Sequence, residues 1–184
     1  MKSSALKLSI SGLLIAVGIV IPMMSPLKII LEPASFTLAS HVTIFIAMFI
    51  SPGMAAAVAI GTTIGFFLGA FPIVIVFRAA SHLVFATLGG LWIRRNPKLI
   101  DGGLSLRVFS FVIGLIHGAC ELVVVMVFYF GGSMSEAYYA KGFPWLVAMV
   151  GLGTVVHSMV DLEIAYLVIT PLKSRIKSLA GVTS

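Results

Sequence analysis

Between Glu32 and Arg78 the chain carries no Asp, Glu, Lys or Arg, and similar uncharged runs recur along its 184 residues. Such runs cannot be wrapped in a polar surface. Apolar residues fill 60% of positions and charged ones 10%, against about 45–50% and about 25% in average globular domains, and mean hydropathy is +1.17. A water-soluble domain and a disordered chain are both excluded, which leaves a membrane as the solvent. A spanning helix takes roughly 20 residues, so the length allows at most about seven spans.

Lipid cannot satisfy an open strand edge, and the alternating pattern of a membrane barrel is absent, so the apolar runs read as helices. Pro, Gly and charge punctuation predicts six of them in one membrane domain over 1–184: about 6–24, 37–51, 54–71, 73–93, 104–130 and 144–172, with a loop over 25–36. Pro22 and Pro26 close the first span and no small-x-small cleavage site follows, so it reads as a retained helix rather than a signal peptide. Pro52-Gly53 predicts a tight turn, and Trp92 and Trp145 fall where an aromatic belt would sit.

The basic residues set orientation. With the N-terminus inside, the inner loops carry Lys2, Lys7, Arg94, Arg95, Lys98, Arg107, Lys173, Arg175 and Lys177, and the outer ones only Lys28 and Lys141, nine against two. The expected fold is an all-α integral membrane protein of six transmembrane helices with both termini cytoplasmic. The net charge of +6 is thereby explained by topology, and no nucleic acid is expected as a partner. Cys120 stands alone in the sequence, which excludes an intramolecular disulfide and a C-x-x-C motif.

Ionisable residues inside spans are costly and point to function. They are Arg78, the acids Glu121, Asp161 and Glu163, and every histidine in the chain, His41, His82, His117 and His157. Arg78/His82, His117/Glu121 and His157/Asp161 are spaced i,i+4, which places each pair on one helix face. Counted from the outer helix ends, His41 and Arg78 lie roughly 6 to 9 Å deep, His82 and Glu121 roughly 14 Å, His117 and His157 roughly 20 Å, and Asp161 and Glu163 deeper still. The pattern predicts a pocket open to the outside. Arg78, always charged and fork-shaped, suits a carboxylate, although a salt bridge to Glu121 would explain it as well. The two His/acid pairs are compatible with mutual hydrogen bonding, with an organic ligand, or with a transition metal. Glu163 reads as a solvated or partner-facing group.

Gly12 and Ala16 form a small-xxx-small motif on the first span, and Ala55/Ala59 and Gly61/Gly65 do so on the third; such faces allow close helix approach. There is no phosphate loop, no G-x-S-x-G and no H-E-x-x-H. No enzymatic activity is expected, and any ATP must be used by a partner.

Six short helices, an apolar first loop, a small-residue face on the first span and polar groups in the outer half together resemble the substrate-binding (S) components of energy-coupling factor vitamin transporters. The segments Glu32-Pro-Ala-Ser-Phe-Thr-Leu-Ala-Ser-His-Val-Thr-Ile-Phe and Phe71-Pro-Ile-Val-Ile-Val-Phe-Arg-Ala-Ala-Ser-His look most like the niacin-specific members. The resemblance implies a subunit of the cell membrane that binds its vitamin from outside under the first loop and joins a transmembrane coupling protein and two ATPases. The family's Ala-x-x-x-Ala contact motif would correspond to Gly12 and Ala16. For nicotinate, Arg78 with His41 would hold the carboxylate, His82 or His117 would meet the ring nitrogen, Glu121 would share Arg78, and Phe36, Phe77 or Tyr138 would stack on the ring. No cofactor or metal is expected in this chain. Pantothenate, or another carboxylate vitamin, is the alternative substrate, and a transition-metal-ion transport subunit is the alternative class.

Overall fold

The computed structural model describes residues 2–31 and 34–172. Lys173, Arg175 and Lys177, three of the basic residues that set the expected topology, lie outside the described residues, as do Glu32 and Pro33. The helices are α1 (Lys2–Met24), α2 (Val42–Ile50), α3 (Pro52–Leu68), α4 (Ile73–Arg95), α5 (Gly103–Phe130), α6 (Glu136–Ala140), α7 (Gly142–Leu146) and α8 (Gly153–Ile169). A π-helical stretch, Val147–Leu152, joins α7 to α8. Ala5–Met24, Ile73–Arg95, Gly103–Phe130 and Gly142–Leu172 are long and apolar enough to cross a membrane, and α3 is a shorter apolar helix.

The outer surface is apolar. Leu13 and Val20 on α1, Phe67 on α3, Phe77 on α4, Val127 on α5 and Leu167 on α8 are exposed, an arrangement that water would penalise and lipid tolerates. By contrast α2 is enclosed: eight of its nine residues are buried. Nine residues rise only about 14 Å, so α2 is a central strut that packs against α1, α3, α4 and α8 rather than a lipid-facing span. Phe45 of α2 meets Phe85 of α4 at 5.7 Å between ring centroids, and Phe109, Ile113 and Leu162 complete this core.

Two departures from the sequence reading concern the first loop and the second span. The loop expected over 25–36 contains an antiparallel hairpin, β1 (Lys28–Leu31) paired with β2 (Ala34–Thr37), Lys28 opposite Thr37. Thr37 to His41, expected to open a helix, instead form the end of β2 and a turn. Phe36 and Thr37 are residue types that favour extended backbone. The apolar character that suggested a span belongs to α2 alone.

Helices approach closely where side chains are missing. A Cβ on Gly61 or Gly65 of α3 would overlap Ile15 or Ile19 of α1, so the α3 small-residue face receives α1. A Cβ on Gly118 of α5 would lie 2.7 Å from the carbonyl oxygen of Gly151, so only glycine lets α5 and the α8 segment close to this distance. Ser51 stops α2 and caps α3, its hydroxyl accepting from the Met54 N–H at 3.2 Å, with Pro52 in the first turn where its missing N–H costs nothing.

Candidate functional site

Two buried carboxylates organise the polar interior. Glu121, 3% exposed, sits one turn beyond His117 on α5 and reaches towards α4 and α8. Its Oε2 accepts from Arg78 Nη2 at 2.8 Å and from the Thr154 hydroxyl at 2.8 Å. Its Oε1 lies 3.1 Å from His82 Nε2 and 3.6 Å from His117 Nε2. The i,i+4 pair that the sequence predicts on α5 is therefore the loosest of these contacts, because α4 presents Arg78 and His82 on one face directly across from Glu121. Both ring nitrogens of His117 are buried without a hydrogen-bond partner, and so is Arg78 Nε.

Asp161 of α8 holds the turn that precedes α2. Oδ1 accepts from the Ala39 backbone N–H at 2.8 Å. Oδ2 accepts from the His41 backbone N–H at 2.9 Å and lies 3.1 Å from His41 Nδ1. Ala39 has φ +68°, a left-handed conformation that costs a residue with a Cβ roughly 1–2 kcal/mol, and the hydrogen bond to Asp161 helps keep it there. Ser40 bridges onward, its hydroxyl 3.1 Å from His157 Nε2. The depth sequence expected from helix ends fails at this point: His41 and Asp161 touch and so share one level. The turn carries His41 down into the bundle before α2 begins, which counting from a span start at residue 37 does not register.

All four imidazoles meet around His41. Its ring centroid lies 4.8 Å from that of His82, 4.7 Å from His117 and 5.1 Å from His157, each nearly edge-on; His82 and His117 are 4.8 Å apart. Three donors, His41 from the turn before α2, His82 of α4 and His117 of α5, stand with a Glu121 oxygen so that their ligating atoms all lie within 4.8 Å of one another.

A cavity of about 130 Å³ opens beside this cluster, below the roughly 300–1,000 Å³ of pockets for drug-sized ligands and so suited to a small molecule. Arg78, His82, His41, Glu121 and Phe36 line it, together with Thr37, Ser40, Thr154, His157 and apolar groups from α1, α3 and α4. Phe36 enters from the hairpin, tilted against His157 at 5.4 Å; a Cβ on Gly153 would lie 2.6 Å from its ring. Gly153 follows directly on the π stretch, a device frequent at functional sites.

Three of the expected contacts, Phe77, Tyr138 and His117, do not line the cavity. Phe77 precedes Arg78 by one residue and therefore faces about 100° away around the helix; it is 51% exposed and packs on Phe128. Tyr138 belongs to the short α6 and does not line the cavity. His117 lies behind the wall, stacked on Phe85 at 4.2 Å. Thr154 was not singled out from the sequence, since a lone threonine in an apolar helix usually bonds its own backbone. Ser40 escaped for the same reason as the hairpin: its turn is defined by a tertiary contact with α8. Gly12 and Ala16 are exposed on the outer face of α1, and nothing lies within 4 Å of a Cβ placed on Gly12.

An apolar-coated helical bundle with a small cavity lined by Arg78 and Glu121 is a multi-pass membrane protein built around a small polar site. No protein-family profile and no solved structure matches the chain. Among curated proteins it is similar to the niacin transporter NiaX of Lactococcus lactis subsp. cremoris (strain MG1363), 41% identical over 165 residues, 89% of this chain and 73% of that protein. The chain belongs to the same family, the niacin-type S components of energy-coupling factor transporters.

Proposed function

We propose that this protein is the niacin-binding subunit of an ATP-driven importer in the cell membrane. It takes nicotinate from outside and passes it to the cytoplasm with a separate coupling protein and two ATPases. The observation that carries the substrate is Arg78, which lines the cavity and whose Nη2 is held by Glu121 while its buried Nε is unpaired. A fork already oriented by one carboxylate can take a second without reorganising. Phe36 supplies an aromatic face to the cavity, which His41 and His82 line as well. The family relative, a niacin transporter, supports the same substrate.

In this reading α1, α3, α4, α5 and the α7–α8 segment, with the enclosed α2, make up the six-helix membrane domain, and both termini are cytoplasmic. Exposed Arg94, Arg95, Lys98 and Arg107 around the α4–α5 connection then face the cytoplasm, and the hairpin covers the cavity from outside. The exposed Gly12/Ala16 face is the contact for the coupling protein, in keeping with its open surroundings. The protein has no enzymatic activity of its own.

Binding of nicotinate, nicotinamide and pantothenate to the purified protein tests the substrate. Nicotinate is expected to bind most tightly. Failure of both acids at micromolar concentration rejects the carboxylate-vitamin reading, and tighter binding of pantothenate replaces niacin with the alternative. Co-purification with a coupling protein and two ATPases, lost on Gly12→Leu while nicotinate binding stays, tests the partners.

A further inference from the structure

The imidazole cluster is more elaborate than recognition of a flat carboxylate requires. His82 of α4 and His117 of α5 face one oxygen of Glu121, with His41 from the turn before α2 within 4.8 Å of the set, and the most buried, His117, is 0% exposed with neither nitrogen hydrogen-bonded. A group in that state is tolerated when something else engages it. The surroundings also divide in the way a metal site divides. Glu121 turns Oε2 to Arg78 and Thr154 and leaves Oε1 to the imidazoles. His41 has Nδ1 against the Asp161 carboxylate, which assigns the proton to Nδ1 and the lone pair to Nε2. A carboxylate behind a ligating imidazole and donors behind a ligating carboxylate are the usual second layer of a metal centre.

We propose that His41, His82, His117 and Glu121 hold one resident divalent transition-metal ion of the imidazole-preferring kind, with zinc as the representative. Metal–ligand bonds of about 2.0–2.1 Å place tetrahedral donors about 3.3 Å apart. Glu121 Oε1 already stands 3.1 Å from His82 Nε2 and 3.6 Å from His117 Nε2, and all four ligating atoms, His41 included, lie within 4.8 Å of one another, so side-chain rotations that draw them inward close the set. The ion takes the position of the proton shared between His82 and Glu121 and gives His117 a partner. Charge balance points the same way. With imidazoles counted as neutral, Arg78, Glu121 and Asp161 sum to one negative charge, which opposes an anion; a divalent cation turns the sum to one positive charge, which a carboxylate neutralises. This last argument rests on the nicotinate reading, whereas the donor geometry does not.

The test uses the full-length protein, purified in detergent, stripped with chelator and re-loaded. About one equivalent of Zn²⁺ per chain is expected to survive gel filtration, and Co²⁺ is expected to give the visible absorption of a four- or five-coordinate nitrogen-rich site. Asp161→Asn should weaken Zn²⁺ by 10- to 100-fold, and His82→Gln should abolish the Co²⁺ bands, whereas Glu163→Gln, outside the cluster, should change neither. Folded wild-type protein that retains no Zn²⁺ and gives no Co²⁺ bands overturns the proposal, whatever it does with nicotinate. Chelator-stripped protein that binds nicotinate unchanged overturns the charge-balancing role. Stoichiometric metal with no nicotinate binding instead upholds the metal site and rejects the substrate, so the two failures are distinguishable.

Discussion

Glu121 and Asp161 are both buried acids one helical turn beyond a histidine, yet they do different things. Glu121 gathers side chains from α4 and α8 at the edge of the cavity, and one of its partners, Arg78, keeps a buried nitrogen unpaired. Asp161 gathers mostly backbone, the N–H groups of Ala39 and His41, and thereby pins the turn below the hairpin. The identical His-x-x-x-acid spacing therefore says little about role. What separates the two acids is whether the facing segment offers helix side chains or an irregular turn with free N–H groups.

That contrast can be broken by deletion. Glu121→Ala leaves Arg78 buried without its counter-ion and is expected to destabilise the protein by about 3–5 kcal/mol and to lower nicotinate affinity by more than 100-fold; thermal unfolding and equilibrium binding measure the two. Asp161→Ala removes acceptors from two N–H groups and from His41, a loss of about 2–4 kcal/mol. Its signature differs, with amide exchange rising first at Ala39 and His41; unchanged exchange there would show that the turn does not depend on α8. Phe77→Ala, outside the cavity on a lipid-facing surface, is expected to alter nicotinate affinity less than about 2-fold, the usual range for sites without buried partners. A larger effect would return Phe77 to the site.

Much of the interior was legible because a charge inside an apolar run is visible without any structure. Arg78, His82, His41 and Glu121 stand out in the sequence on that ground alone, and the structure gathers them. Pairing was less legible. Spacing along one helix suggested His117 with Glu121 and His157 with Asp161, but the contacts to Arg78, His82 and His41 from other segments are shorter, and those are set by tertiary packing. The hairpin was hidden because apolar residues on either side of Glu32-Pro33 read equally well as loop. Phe77 lies outside the cavity for a simpler reason: the residue next to Arg78 in sequence points about 100° away from it around the helix.

Selectivity between nicotinate and nicotinamide, which differ by the carboxylate alone, isolates the contribution of Arg78. In the wild-type protein nicotinate should bind at least 100-fold more tightly, and in Arg78→Ala, with folding checked by thermal unfolding, that preference should fall to within about 5-fold, since a charge-assisted pair contributes roughly 1.5–3 kcal/mol or more when buried. A folded Arg78→Ala protein that keeps the full preference would contradict the assignment of Arg78 as the carboxylate anchor.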